Sequence, residues 1–160
     1  MSQGFSSLQA APAFQQGNVV QTGYTQDGVI NSGAVVTPTD YTIPQVTEGN
    51  EFMSLSFTPT SASNLLRIDV VAILSPSTAQ WINSHLLVDG AADAVASTTL
   101  YHPVGTGALA HTITHWMTAG TVSAMTFAFR ADVYSSGTVT FNLYGGGSST
   151  SSMTVTEYLP

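Results

Sequence analysis

The sequence predicts an all-β protein, an antiparallel β-sandwich of the jelly-roll type with a short extended N-terminal arm. Two observations predict this fold. Apolar and polar residues alternate near period two in most segments, as in Leu66–Leu74, and turns rich in Gly, Pro and Ser separate these segments at even spacing. About eight to ten short strands with almost no helical period are typical of a sandwich or a barrel. Among these architectures the jelly roll is our prediction.

The composition is that of a folded chain with a weakly charged surface. Its 160 residues are 43% hydrophobic and 7% charged, whereas disordered segments combine high charge with low hydrophobicity. At this length, one domain buries enough surface to fold alone. We therefore expect a surface made mainly of Ser, Thr, Asn, Gln and Gly.

Charge and cysteine content exclude several classes of function. Arg67 and Arg130 are the only Lys or Arg residues, and at a net charge of -7 most of the surface repels nucleic acid and anionic membranes. Because cysteine is absent, disulfides, thiolate metal sites and cysteine nucleophiles are excluded. The sequence has neither a signal-peptide pattern at its start nor an apolar run of about 18 residues. We expect no nucleic-acid partner and no membrane insertion.

The start of the chain differs from the rest. Residues 1–17 are rich in Ser, Gln and Ala, with scattered Phe5, Leu8 and Phe14 and an interrupting Pro12. This composition favours an arm that becomes ordered on a partner, and the three apolar side chains are candidate partner contacts. Residues 18–160 are predicted to form the jelly-roll domain.

The domain is predicted to consist of two hairpins and six further strands. Asp27-Gly28 is the predicted turn of the first hairpin, and Thr58–Asn64 that of the second. Because the surface holds no lysine to protect strand edges, we expect neighbouring subunits to cover them. The predicted strands are Asn18–Tyr24, Val29–Thr37, Phe52–Phe57, Leu66–Leu74, Ala79–Val88, Ala94–Tyr101, Ala108–Met117, Ala124–Tyr134, Thr138–Tyr144 and Met153–Tyr158.

Several separated runs of the sequence resemble one known module. The runs are TIPQ (Thr42–Gln45), TEG (Thr47–Gly49), EFMSL (Glu51–Leu55), TPTSASNLLRIDVV (Thr58–Val71), HWMTAGT (His115–Thr121) and SSMTVTEY (Ser151–Tyr158). In this order they resemble a module at the C-terminal ends of bacteriophage tail-fibre and related virion surface proteins. The resemblance spans roughly residue 41 to the C-terminus. It implies a trimeric virion surface protein that acts by adhesion or reinforcement.

Both arginines occur in the same local setting. Arg67 precedes Asp69 by two residues and Arg130 precedes Asp132 by two, so that each pair shares the strand face opposite the core stripe. If the two strands are neighbours, the four charges form one cross-strand network; alternatively they bridge subunits. We expect a structural charge network or interface, in preference to a ligand site.

The histidines are expected to be structural. His111 and His115 share one face of a strand about 13 Å apart, which is too far for one metal ion. A metal shared on a threefold axis stays open, but satisfied sheet or interface histidines are the preferred interpretation. His85 and His102 stand alone in the sequence, and neither is predicted to bind a metal.

Nothing in the sequence predicts catalysis. The loop aspartates Asp27, Asp89 and Asp93 are expected to form turns, because they offer too few oxygens for a Ca²⁺ loop. The chain has no G-x-S-x-G nucleophile elbow. We expect a protein that is not an enzyme, with no catalytic, cofactor-binding or metal-binding residues and no cofactors.

Trp116 is the candidate partner contact of the folded domain. It lies on the Thr112 and Thr114 side of its strand, away from Ile113, and is therefore expected outside the core. Packing in an interface is preferred for it over binding a glycan.

Two functional hypotheses follow from the resemblance. The first is a homotrimeric capsid decoration protein that binds the major capsid protein or other virion proteins. The alternative is a tail-fibre tip that attaches to a host surface glycan or protein. Residues 1–40 contain no stalk repeats and the chain begins with Met1, which favours decoration. In both, the protein is made in the host cytoplasm and displayed on the virion surface. A cellular sugar-binding module unrelated to phage is a third hypothesis.

Overall fold

The fold is described from a computed structural model, in which residues 18–36, 42–144 and 146–160 are described. The predicted N-terminal arm, with Phe5, Leu8 and Phe14, lies outside the described residues. The strands are β1 (Val19–Asp27), β2 (Asn31–Gly33), β3 (Asn50–Phe57), β4 (Leu65–Pro76), β5 (Gln80–Val88), β6 (Ala96–His102), β7 (Leu109–Thr118), β8 (Met125–Val133), β9 (Val139–Phe141), β10 (Leu143–Tyr144), β11 (Gly147–Ser148) and β12 (Ser151–Tyr158). Within the described ranges no helix occurs, and hence none that is long and apolar enough to cross a membrane.

The eight longest strands form a jelly roll. In the larger sheet their order is β1-β12-β4-β7, with the short β9 and β2 added beyond β4; in the smaller sheet it is β3-β8-β5-β6. Neighbouring long strands are antiparallel throughout. The chain passes from one sheet to the other at most connections, as in a fold of two interlocked Greek keys. The predicted all-β jelly-roll sandwich is confirmed.

The core fills the space between the two sheets. Every second residue of β4 from Leu66 to Leu74 is at most 1% exposed, and every second residue of β8 from Phe127 to Val133 is fully buried. Each such Leu, Ile or Phe stabilises the fold by about 1.5–3 kcal/mol relative to an exposed position. Phe52 and Phe141 stack with ring centroids 5.1 Å apart. The apolar stripe of the sequence is thus the core face of the strands.

The two predicted hairpins are wrong. β3 and β4 flank the predicted turn, yet β3 pairs with β8 while β4 pairs with β12 and β7 in the opposite sheet. Likewise β1 pairs with β12 and β2 with β9, although the Asp27 carboxylate does accept a hydrogen bond from the Val29 amide in the turn between them. An alternating strand has one core face in either arrangement, so the pattern does not distinguish a hairpin from two strands that face each other across the core.

Candidate functional site

The two arginine–aspartate pairs lie in different sheets, so the four charges do not form the single cross-strand network expected if their strands were neighbours. On the outer face of the larger sheet, Arg67 Nε lies 2.9 Å from Asp69 Oδ2, and Thr114 Oγ1 donates to Asp69 Oδ1 at 2.8 Å. The hydrogen bond to Asp69 raises the pKa of Arg67. The other arginine, Arg130, lies in β8 of the smaller sheet. The two residues of each pair share the outer face of their strand, as predicted, and the alternative that these charges bridge subunits stays a prediction.

Arg130 holds a loop on the smaller sheet. Its Nε donates to the Glu48 carbonyl at 2.9 Å and its Nη2 to the Gly49 carbonyl at 2.7 Å. Gly49 has φ +62°, and a Cβ there would lie 2.9 Å from the Ala131 carbonyl oxygen. Only glycine therefore allows the loop to approach the sheet this closely. The guanidinium thus binds the backbone of the loop, and its Nη1 also lies 3.7 Å from Glu51 Oε2.

Asp132 is fully buried on the outer side of the smaller sheet. It accepts a hydrogen bond from Asn83 Nδ2 at 3.2 Å, and its Oδ2 lies 3.9 Å from His85 Nδ1. His85 is also fully buried, and burial lowers its pKa to about 4. The loop that Arg130 binds, residues 42–49, covers the part of the outer face where Asp132 and His85 lie.

Three side chains form a hydrogen-bonded chain between the sheets. Ser84 Oγ lies 2.7 Å from His111 Nδ1, His111 Nε2 lies 2.9 Å from His102 Nε2, and His102 Nδ1 lies 3.1 Å from the Gly107 carbonyl. Since the carbonyl accepts only, His102 donates from Nδ1; its Nε2 then accepts from His111, whose Nδ1 accepts from Ser84. Both imidazoles are neutral in this arrangement. His102, which stands alone in the sequence, is thus brought to His111 by the pairing of strands.

The same geometry bears on catalysis. A serine hydroxyl within 2.7 Å of an imidazole has the spacing of a nucleophile and its base. Ser84, His102 and His111 are all fully buried, however, so that no substrate reaches them in this conformation. Burial lowers the pKa of His111 to about 3 and also lowers that of His102. The hydrogen-bonded series of Ser84, His111 and His102 connects the two sheets and fits a structural role.

Glu157 organises the crossover between β3 and β4, which sequence reasoning did not identify. Its buried carboxylate accepts hydrogen bonds from Asn64 Nδ2 at 2.7 Å, Gln21 Nε2 at 2.7 Å and the Thr60 amide at 2.9 Å. Burial by itself raises the pKa of Glu157, but the hydrogen bonds from these partners lower it to about 2. The anion therefore fixes the loop to β12 and β1. The sequence does signal this role, because Glu157 lies on the same, core-facing side of β12 as Met153 and Val155.

The outer face of the larger sheet carries an exposed aromatic cluster. Trp116 is 49% exposed, and its ring lies 5.3 Å from that of Tyr158 and 5.7 Å from Arg67 Cζ. Leu65 and Val71 are also exposed on this side of β4, among threonines of β12 and β7. Trp116 thus lies outside the core, as expected from its parity. An Arg, two aromatic rings and apolar side chains on a flat face are typical of a protein contact.

The smaller sheet has a second exposed aromatic group, which sequence reasoning did not single out. Trp81 of β5 and Tyr101 of β6 are register partners, with ring centroids 5.2 Å apart and exposures of 47% and 48%. Tyr134 follows β8 directly, donates its amide to the Trp81 carbonyl at 3.1 Å and is 46% exposed. Trp81 stands between core-facing Gln80 and Ile82, so its parity alone places it outside.

Comparison with known proteins gives no family for this chain. No family model and no curated protein matches it. Among solved structures, it is similar to the crystal structure of the enzymatically active domain of tailspike protein 4 (orf213) of bacteriophage CBA120, with 16% identity and a TM-score of 0.30. The match covers 87% of this chain and 19% of that one, so the chain spans about a fifth of its length. A likeness this low supports no inference about function.

Proposed function

We propose that this chain is a bacteriophage virion structural protein, a homotrimeric capsid decoration protein that binds the head surface and reinforces it. The ordered runs that resemble tail-fibre and related virion surface modules support the virion assignment. One structural observation carries the proposal of a binding role, namely the exposed cluster of Trp116, Tyr158 and Arg67 on the outer face of the larger sheet. In this proposal the protein acts by contact and not by catalysis.

The chemistry of this face suits contact with another copy of the chain. Arg67 is neutralised by Asp69 within its own strand, so that facing copies meet no unpaired charge there despite a net charge of -7. Trp, Tyr and Arg are the residues that most often dominate the energy of protein interfaces. In a closed ring of three subunits, this face of one subunit would meet a different surface of the next.

The edges of the larger sheet support the same proposal. In the described residues, β1 pairs with β12 and β7 pairs with β4, and each leaves its other edge available. An unpaired edge without lysine invites another strand to pair with it. A subunit contact would cover both edges and the aromatic face between them.

Oligomeric state and capsid binding test the proposal. Analytical ultracentrifugation should show a trimer for the full chain, and Trp116→Ala should shift it toward monomer, whereas Trp81→Ala on the smaller sheet should not. The trimer should bind capsids stripped of decoration and raise their melting temperature. A monomeric wild type, or a failure to bind any stripped capsid, would contradict the decoration role.

A tail-fibre tip that binds the host surface is the second candidate, and one observation favours it. The exposed rings of Trp81 and Tyr101 lie on a different face from Trp116, and so stay available when the larger sheet is covered. Antibody-gold labelling of intact particles separates the two candidates. Dense label over the head supports decoration, whereas a few grains at the tail end support a tip protein.

A further inference from the structure

The outer face of the smaller sheet is half covered and half open. His85 and Leu87 of β5 point to this face but are at most 1% exposed, because the 42–49 loop lies over them. That loop is bonded to the segment after β5, where the Val46 amide donates to the Ala92 carbonyl at 2.9 Å. At the other end of the same strand, Trp81 is 47% exposed. Tyr101, Trp81 and Tyr134, which we call the aromatic row, therefore lie beside the half of the face that the loop covers.

The polar groups beside the aromatic row are neutral and fixed. Thr99 Oγ1 donates to Asn83 Oδ1 at 2.7 Å, and Asn83 donates to Asp132 at 3.2 Å. Thr99 is exposed and Asn83 half-buried, so the hydroxyl and the amide both border the rings, while the Asp132 carboxylate is buried behind them. A row of rings next to an oriented amide and hydroxyl presents no formal charge to a ligand. It suits an uncharged ligand with both an apolar face and hydroxyl groups.

The loops around the row are tied together. Gln80 Oε1 accepts from Ser135 Oγ at 2.9 Å, and Gln80 Nε2 donates to Thr78 at 3.1 Å. The Thr138 amide donates to Ser77 Oγ at 3.0 Å. Two neighbouring loop segments thus hold one arrangement, and a ligand loses little ordering entropy on binding to groups that are already placed.

The size of the aromatic row argues against a protein as its main occupant. A large aromatic side chain offers roughly 200 Å², so three rings that are 46–48% exposed offer about 300 Å² together. A stable protein interface needs about 800 Å² on each side. Across three neighbouring strands the row is about 10 Å long, which fits two or three sugar units.

From these observations we propose that Tyr101, Trp81 and Tyr134, with Asn83 and Thr99, form a binding site for an uncharged oligosaccharide. The apolar C–H faces of the sugar rings stack on the aromatic rings, whose faces carry partial negative charge. The sugar hydroxyls bond to the Asn83 amide and the Thr99 hydroxyl. This inference goes beyond the structural role proposed above and does not depend on it.

The test uses the full chain and a printed array of neutral hexose and N-acetylhexosamine oligosaccharides, followed by titration calorimetry with the tetrasaccharide that binds best. Trp81→Ala and Tyr101→Ala should each weaken binding by about tenfold or more. Tyr24→Ala, which removes an exposed aromatic ring from β1 of the other sheet, should leave the Kd within about twofold. Trp81→Phe, which keeps a ring, should retain most of the affinity.

A spectroscopic readout makes the same test independent of the array. The chain has two tryptophans, so in Trp116→Phe the emission comes from Trp81 alone. Added tetrasaccharide should shift this emission to the blue, and melting curves of each variant establish that it folds. Absence of binding to every arrayed sugar, or equal loss in Tyr24→Ala, would overturn the proposal. Capsid binding without sugar binding would reject this site and leave the decoration role supported. Sugar binding without capsid binding would reject the decoration role and support this site.

Discussion

His102 and His111 share a single hydrogen between their Nε2 atoms, which lie 2.9 Å apart. One imidazole must therefore accept through an unprotonated Nε2. His102 is that imidazole, because its proton is on Nδ1, where it is donated to the Gly107 carbonyl. Two charged imidazoles would place two N–H groups head to head. The pair thus links β6 of one sheet to β7 of the other only while at least one of its two imidazoles stays neutral.

The buried histidines should make the fold sensitive to mild acid. Burial lowers the pKa of His111 to about 3 and that of His85 to about 4, whereas both groups titrate near 6.5 when unfolded. Below pH 6.5 the unfolded chain therefore binds more protons than the folded one, and stability falls as the pH falls toward those lower values. Each unit of pKa difference corresponds to about 1.4 kcal/mol.

Urea unfolding measured at pH 7, 5.5 and 4.5 tests this expectation. Glu157 contributes stability above its unfolded pKa of 4.5 and loses it only as the pH falls toward about 2, so it leaves this window nearly unaffected. The urea midpoint should drop steadily from pH 7 to pH 4.5. A midpoint that stays constant would show that the histidines are not buried as neutral groups.

Ser84→Ala should destabilise the fold, because it leaves His111 Nδ1 without its donor in a fully buried position. The expected loss is about 1–3 kcal/mol in the free energy of unfolding. Thr112→Ala, at an exposed position next to His111, should change it by less than about 0.5 kcal/mol. Chemical denaturation of both variants measures the difference, and equal effects would argue against the hydrogen-bonded chain.

Glu157→Gln should be more costly than the same change at an exposed site. The new amide NH₂ group meets donors, because Asn64, Gln21 and Thr60 all donate to the carboxylate. We expect a loss of about 2–3 kcal/mol. Glu51→Gln is the control, since Glu51 is half-exposed and lies 3.7 Å from Arg130; there we expect at most about 0.5 kcal/mol. Thermal melts at pH 7 compare the two.

Gly49→Ala and Gly90→Ala separate backbone strain from steric clash. Both glycines have positive φ, +62° and +64°, which costs an alanine roughly 1–2 kcal/mol at either site. Only at Gly49 would the new Cβ also meet the Ala131 carbonyl, whereas at Gly90 nothing lies within 4 Å. Gly49→Ala should therefore be the more destabilising variant in denaturation curves. Similar losses at both sites would mean that the loop moves away from the sheet freely.

Strand positions were predictable because they depend on neighbours in the chain. The predicted Ala108–Met117 corresponds to β7 (Leu109–Thr118), and the predicted Ala124–Tyr134 to β8 (Met125–Val133). Side-chain parity likewise places Trp116 outside and Phe127 inside. Alternation fixes which face each residue occupies as soon as one face is buried.

The aromatic row and the histidine chain were missed for a different reason. Parity alone indicates that His102, two residues from Leu100, and His111, two residues from Ile113, both face the core. It does not indicate that β6 and β7 bring them within 2.9 Å of each other. For Trp81 and Tyr101 the outward parity was available, but their pairing depended on the register of β5 with β6.

The sequence by itself determined that this chain is all-β, where its strands run, which residues form the core, and that thiol chemistry is excluded. These properties follow from composition and from period-two patterning, which are local. Only the tertiary structure decided that β3 and β4 lie in opposite sheets, that Arg67 and Arg130 are apart, and that His102 meets His111. Strand pairing joins residues far apart in the chain, and an alternating strand presents the same backbone donors and acceptors to any partner.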